Sequence, residues 1–169
     1  MVSNFMVQHW FLTIVSLVPC ISYASALSFE SYKVSEIYSG EHHQLVTVRQ
    51  VDENWMEGRK KAIQRSINFA GHYVIHTDGC GGGAVCGEIL DVKTGEMVES
   101  FPNAYYIDGE YGAAPFAAVS KPESRLLIII GVAADPEVGV VGEEIDQGNR
   151  RRYYEFINDK LKLIEVVER

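Results

Sequence analysis

Leu126-Leu127-Ile128-Ile129-Ile130 is the stretch that decides the fold of this 169-residue chain. All five side chains are apolar, so an extended chain here would present apolar groups on both faces of a sheet. A short apolar run of this kind is typical of a buried strand that is covered from both sides. We therefore expect it to lie in the centre of a sheet, with the rest of the chain arranged around it.

Three hairpin turns surround this strand in the sequence. They are Lys93-Thr94-Gly95-Glu96, Lys121-Pro122-Glu123-Ser124 and Asn158-Asp159. The strands that they join are residues 84–92 with 97–101, 113–120 with 125–132, and 153–157 with 161–167. With a further strand at 73–77, the pattern predicts an antiparallel meander of about six or seven strands, and residues 45–48 suggest another strand before it.

One helix is predicted before the sheet, over residues 53–68, with Asp52 as its N-cap. Seven side chains, most of them apolar, fall on one face at helical spacing: Trp55, Met56, Arg59, Ala62, Ile63, Ser66 and Ile67. The basic side chains are expected to form a solvated face: Arg59, Lys60, Lys61 and Arg65. We therefore predict an α+β fold in which one helix packs on an antiparallel β-meander.

The first 26 residues have the pattern of an export signal. Residues 10–21 form a twelve-residue apolar core, and Ala24-Ser25-Ala26 is a cleavage site of small residues. Twelve residues are too few to cross a hydrocarbon core of ~30 Å, although an uncleaved anchor is the alternative. We predict a signal peptide at 1–26, a single globular domain at 27–169, and a location in the periplasm or outside the cell.

The chain is acidic, with a formal net charge of −8 at pH 7. Nucleic acids and anionic membrane surfaces attract basic proteins, so neither is an expected partner. After signal cleavage no apolar stretch is long enough to span a bilayer. The expected partner is a protein or a small molecule that the sequence does not identify.

Two cysteines, Cys80 and Cys86, remain once a signal peptide that contains Cys20 is removed. Metal ligation or redox chemistry is one interpretation, but an even pair in an exported chain favours a structural disulfide. The residues around them are rich in glycine, and Gly81 and Gly82 could form an anion-binding nest. The alternative is a disulfide-closed turn that needs glycine for positive φ.

His72, His76 and Asp78 are candidate site residues on the strand before this turn. Side chains alternate between the two faces of a strand, so these three would lie on one face. His72 and His76 are four residues apart and therefore ~13 Å from each other, too far for both imidazoles to hold one metal ion. His76 and Asp78 could share a metal with a third ligand from Glu88 or from a free cysteine. We predict no metal, no cofactor and no assigned catalytic residue. The candidate ligand-binding residues are His72, His76, Asp78, Gly81 and Gly82.

Two further regions stand out by their composition, an acidic loop and an aromatic patch. Residues 135–149 carry five acidic side chains among glycines and are expected to form a mobile, solvated loop that includes Glu137. A patch of aromatic and acidic side chains precedes this loop in the sequence. It could bind a partner or a sugar, or it could be the edge of the core. This patch consists of Tyr105, Tyr106, Asp108, Glu110, Tyr111 and Phe116.

Three short motifs follow one another from residue 69 onward. They are Phe69-Ala70-Gly71-His72-Tyr73, then Gly79-Cys80-Gly81 with a second cysteine, then Asp91-Val92-Lys93-Thr94-Gly95. This order resembles a group of exported bacterial proteins of unknown function, which tend to end with a Ser-Arg-Leu-Leu-Ile strand and a Tyr-Tyr-Glu hairpin, here residues 124–128 and 153–155. Asp78 stands where the group usually has Trp. The resemblance implies export, a bacterial source and a β-rich fold, and it implies no activity.

Two functions are consistent with these residues. The first is an exported, non-enzymatic binding or interaction module of unknown ligand, for example an envelope inhibitor or stress factor. It is favoured because no set of acid, base and nucleophile emerges from the sequence. The alternative is a small secreted hydrolase or metal-dependent enzyme that uses His72, His76 and Asp78. Convergence of these three side chains in one cleft would favour the enzyme, and their separation would favour the binding module.

Overall fold

A computed structural model describes residues 27–46, 53–108 and 115–169. They form a 3-10 turn at Phe29–Tyr32, one helix, α1 (Glu53–Ile63), and ten strands. The strands are β1 (Tyr73–Gly81), β2 (Ala84–Asp91), β3 (Met97–Ser100), β4 (Tyr105–Tyr106), β5 (Ala117–Val119), β6 (Leu126–Val132), β7 (Glu137–Val138), β8 (Glu144–Ile145), β9 (Asn149–Ile157) and β10 (Lys160–Glu168). The predicted signal peptide and the predicted N-cap Asp52 lie outside the described residues.

The strands form three antiparallel sheets rather than the single meander that we predicted. The first sheet has the order β1-β2-β3, with β4 pairing the start of β2, and the second has the order β10-β9-β6-β5. β7 and β8 form a separate hairpin. All three predicted hairpins are confirmed. The single meander is wrong because β2 is buried along most of its length and therefore needs cover on both faces, which one sheet and one helix do not provide.

The second sheet faces the first, and the main core fills the space between them. β6 lies between β9 and β5, as expected of a central strand, and its Leu126, Leu127 and Ile129 are completely buried. Aromatic rings dominate this core: Phe69, Tyr73, Phe101, Tyr105, Tyr154 and Phe156. The predicted strand at 45–48 is irregular at Leu45 and Val46, and residues 47 and 48 lie outside the described part.

α1 packs on the other face of the first sheet, so the layer order is helix, sheet, sheet. The cluster beneath it contains Ala62, Ile63, Val74, Leu90 and Val92. The helix ends at Ile63 instead of the predicted residue 68, and the N–H of Arg65 donates to the C=O of Ala62 in a closing turn. Ile67 still packs against the cluster, so its helical spacing was a misleading signal. No helix in the described ranges is long and apolar enough to cross a membrane.

Asn68 covers the outer edge of β1. The other edge of β1 pairs with β2, from Tyr73 opposite Asp91 onward. The Asn68 side-chain oxygen accepts the N–H of Ile75 at 2.8 Å, and its amide nitrogen donates to the C=O of Ile75 at 3.3 Å. One side chain thereby satisfies two main-chain groups that point away from the sheet.

Residues 135–149 are more ordered than the solvated loop that we predicted. β7 and β8 pair within them, and Glu137 is only 5% exposed. Its carboxylate forms an ion pair with Arg152 of β9, which is itself 1% exposed. The expectation of a solvated Glu137 is wrong because a buried arginine of the second sheet supplies its counter-charge.

Candidate functional site

The predicted disulfide between Cys80 and Cys86 is present. The two Cα atoms are 5.7 Å apart, within the range that a disulfide spans. The bond links β1 to β2 near the exposed tip of their hairpin. In this state neither sulfur is a nucleophile or a metal ligand, so the disulfide is a structural element of the site.

Gly82 and Gly83 form the turn of this hairpin. Their φ angles are +61° and +75°, and they connect Gly81 to its pairing partner Ala84. Positive φ at both central residues is characteristic of a type I′ turn. A Cβ at Gly82 or Gly83 would meet nothing within 4 Å, so glycine is required here by conformation and not by lack of room. The anion nest at Gly81 and Gly82 stays a prediction.

His76 is buried beneath α1. It is 2% exposed, and its ring centroid lies 5.2 Å from that of Trp55. A Cβ on Gly58 would come within 2.9 Å of the imidazole, so α1 crosses this closely only because residue 58 is glycine. Neither ring nitrogen has a hydrogen-bond partner in the described part of the chain. Burial lowers the pKa of His76, and the nearby carboxylates of Glu88 and Asp78 oppose this shift without overcoming it.

Glu88 lies directly across the hairpin from His76 and is neutralised by Arg59 of α1. Arg59 Nε donates to Glu88 Oε2 at 2.6 Å, and Nη2 donates to Oε1. Both side chains are 8% exposed. The expectation that Arg59 lies on a solvated face is therefore wrong. The helix directs it onto the first sheet, where a buried carboxylate needs a partner.

Trp55, Asp78 and Glu88 line an open cleft of about 860 Å³, which we call the tryptophan cleft. It lies between the first turn of α1, the disulfide end of the β1–β2 hairpin and the segment after β3. Its full lining is Asn54, Trp55, Asp78, Gly79, Cys80, Cys86, Gly87, Glu88, Ser100, Phe101, Pro102, Asn103, Ala104 and Asp135. Among these described residues there are aromatic rings and carboxylates but no Lys, Arg or His.

His72 does not join this cleft. It lines a separate cleft of about 560 Å³, where its Nε2 is 3.9 Å from a carboxylate oxygen of Asp91 and its ring lies 4.0 Å from that of Tyr73. Burial lowers the pKa of His72, opposed by Asp91. The structure therefore leaves Asp78 in the tryptophan cleft, His76 buried behind the cleft wall against Trp55, and His72 in a different cleft.

The possible metal ligands do not assemble a metal centre. Within residues 27–46, 53–108 and 115–169, no three His, Cys, Asp or Glu side chains converge closely enough to hold an ion. Both carboxylate oxygens of Glu88, the suggested third ligand, accept hydrogen bonds from Arg59. The described part of the chain thus offers His76 and Asp78 no third ligand for a shared metal.

The aromatic and acidic patch belongs in part to the core. Tyr105 is completely buried and stacks on Phe116, with ring centroids 5.7 Å apart. Burial raises the pKa of the Tyr105 hydroxyl far above its usual range. Glu110 and Tyr111 lie outside the described residues. The described part therefore supports the core-edge interpretation of this patch.

Comparison of the chain with protein-family models, with curated proteins and with solved structures finds no match. Sequence reasoning missed two parts of the candidate site, since it placed Trp55 in the core and Arg59 in solvent. The signal that could have pointed to them is Gly58, because a glycine inside a helix often marks a close approach.

Proposed function

We propose that this protein is an exported, non-enzymatic binding module whose ligand occupies the tryptophan cleft. The observation that carries the proposal is the cleft itself. It is open, large enough at about 860 Å³ for a small organic molecule, and lined by Trp55 and Phe101 together with a few polar groups. Concave sites of this size and composition are the usual places where proteins bind small ligands.

The chemistry of the lining supports binding over hydrolysis. Cys80 and Cys86 are joined in a disulfide, and Glu88 is held in an ion pair with Arg59. Ser100 is a hydroxyl in the cleft, but none of the described residues that line the cleft is a histidine that could activate it. His72 and His76 lie apart. The alternative function, a hydrolase or metal-dependent enzyme, therefore has no assembled set of catalytic or metal-binding groups among the described residues.

The disulfide supports the proposed export, because such bonds persist in oxidising compartments. We propose a mature chain that begins at Leu27 and resides in the periplasm or outside the cell. The resemblance to exported bacterial proteins points the same way. N-terminal sequencing of the protein from a periplasmic extract tests this directly. A chain that keeps Met1 and sediments with membranes would contradict it.

Trp55 makes the proposed binding measurable. The sequence holds two tryptophans, Trp10 and Trp55, so a full-length Trp10→Phe chain reports fluorescence from the cleft alone. The probes are three molecules of nearly one shape and different charge: choline, 3,3-dimethyl-1-butanol and 3,3-dimethylbutanoate. We expect saturable quenching or a spectral shift with at least one of them. No saturable response to any probe would overturn the assignment of the cleft as the binding site.

A further inference from the structure

We infer that the ligand of the tryptophan cleft is a small organic cation with an apolar portion, an inference that rests on the binding function proposed above. Three features of the cleft carry it. These are the unbalanced charge of the lining, the aromatic surface beside that charge, and a buried polar side chain behind the wall. Each is independent of the others.

The charge of the lining is negative and uncompensated. Asp78 and Asp135 both line the cleft, and neither forms an ion pair with any described residue. Asp78 Oδ1 accepts one hydrogen bond, from the N–H of Gly79 at 2.8 Å. The third carboxylate, Glu88, already has Arg59 as its counter-ion. An entering cation therefore meets two free carboxylates, whereas an entering anion is repelled.

Aromatic surface lies beside these carboxylates. Trp55 and Phe101 line the cleft, and the indole presents the best π-face for a cation. The Trp55 ring packs against the His76 ring on the sheet below it. The Phe101 ring rests on Gly87, where any Cβ would collide with it. Rings fixed in this way bind with little loss of side-chain freedom, and their apolar faces favour an organic ion over a bare metal ion.

His76 is the independent polar group. It is only 2% exposed, lies against Trp55, and shares its strand face with Asp78, yet both its nitrogens lack a hydrogen-bond partner within the described chain. Such a group is costly to bury without a partner. Burial lowers the pKa of His76, which favours the neutral ring at neutral pH, so the imidazole places little positive charge beside Asp78.

The test is a titration of the Trp10→Phe chain with the three probes at low and high salt. Choline and 3,3-dimethyl-1-butanol share their shape and differ by one positive charge, so we expect at least tenfold tighter binding of choline and a weakening as salt screens the carboxylates. Asp78→Asn and Asp135→Asn should each weaken choline binding severalfold. Asp146→Asn makes the same change in net charge on an exposed residue outside the cleft and should leave it unchanged.

The outcomes separate the two proposals. Equal binding of choline and the alcohol, or tighter binding of 3,3-dimethylbutanoate, would overturn the cationic ligand and leave the binding site in place. The cationic ligand would also be overturned if Asp146→Asn weakened choline binding as much as Asp78→Asn does. Absence of any response to all three probes would remove the site and the ligand class together.

Discussion

The guanidinium of Arg152 forms a two-point ion pair with the carboxylate of Glu137, and this pair joins the β7–β8 hairpin to the second sheet. Arg152 Nη1 also donates to the C=O of Gly131 at 2.9 Å, and its guanidinium lies 5.2 Å from the centre of the Tyr105 ring. All the positive charge of a nearly inaccessible side chain is therefore balanced by one carboxylate from a short hairpin. The ion pair therefore adds to the strand pairing that holds the hairpin.

Glu137→Gln should consequently destabilise the protein by about 3–5 kcal/mol, because removing one partner leaves the Arg152 charge buried and unpaired. The measurement is urea unfolding of the variant and its parent. Glu144→Gln, on the exposed side of the same hairpin, is the matched control and should cost less than about 0.5 kcal/mol. Equal midpoints for the two variants would show that the buried pair contributes little.

Ile63→Ala should cost about 2–5 kcal/mol of unfolding free energy, as large-to-small changes in a core do. Ile63 is 1% exposed and packs between α1 and the first sheet. Lys60→Ala, on the solvent side of the same helix, should cost under about 0.5 kcal/mol. Urea midpoints of both variants measure the contrast, and an unchanged midpoint for Ile63→Ala would mean that α1 does not stabilise the fold.

Gly58→Ala should destabilise the protein even though alanine favours helix by about 1 kcal/mol. The new Cβ would lie 2.9 Å from the His76 ring, so either the ring or the helix must move. Gly79→Ala is the comparison, since a Cβ there meets nothing within 4 Å. Thermal unfolding should show a lowered midpoint for Gly58→Ala only. A midpoint for Gly58→Ala that equals or exceeds the parent's would contradict the close packing of α1 on His76.

Stability should fall as the pH is lowered below about 6.5, the ordinary pKa of histidine, and His76 should be a main cause. Burial lowers the pKa of His76 in the folded protein, so the unfolded chain takes up the proton first and is favoured as the pH falls. His72 contributes with the same sign. Urea unfolding between pH 7.5 and 5.5 should show a shallower fall for His76→Phe than for the parent. Parallel curves would indicate that His76 does not resist protonation.

Reduction of the Cys80–Cys86 bond should lower the free energy of unfolding by roughly 2 kcal/mol, the chain-entropy value for so short a loop. The double variant Cys80→Ser, Cys86→Ser should show the same loss without reductant. Mass spectrometry of native material should find the protein two hydrogens lighter than its reduced form. Two alkylatable thiols in that material would show that the bond does not form.

The hairpins could be predicted from sequence because each depends on neighbours in the chain. Gly95 and Asn158-Asp159 mark turns at which φ is positive, and the strands on either side pair locally. The division into two sheets could not be predicted in the same way. The periodicity of β3 or β5 shows which side chains are apolar, but not which other strand lies across the core.

The candidate site, like the fold, could be predicted from sequence only in its local features. The disulfide followed from an even pair of cysteines in a chain expected to be exported, and alternation correctly placed His76 and Asp78 on one face. Arg59 shares the buried face of α1 with Ile63, four residues on, yet its burial depends on Glu88, which is 29 residues away. The burial of Glu137 likewise depends on its ion pair with Arg152. Buried ion pairs between distant segments leave no local pattern to recognise.

The side chain of Asn68 has a consequence for association between molecules. An unpaired strand edge offers its main-chain groups as a template on which a second copy can add a strand. Because Asn68 already occupies the N–H and C=O of Ile75, an approaching chain finds that part of the edge taken. A single asparagine thus serves as a substitute strand and discourages growth of the first sheet into an aggregate.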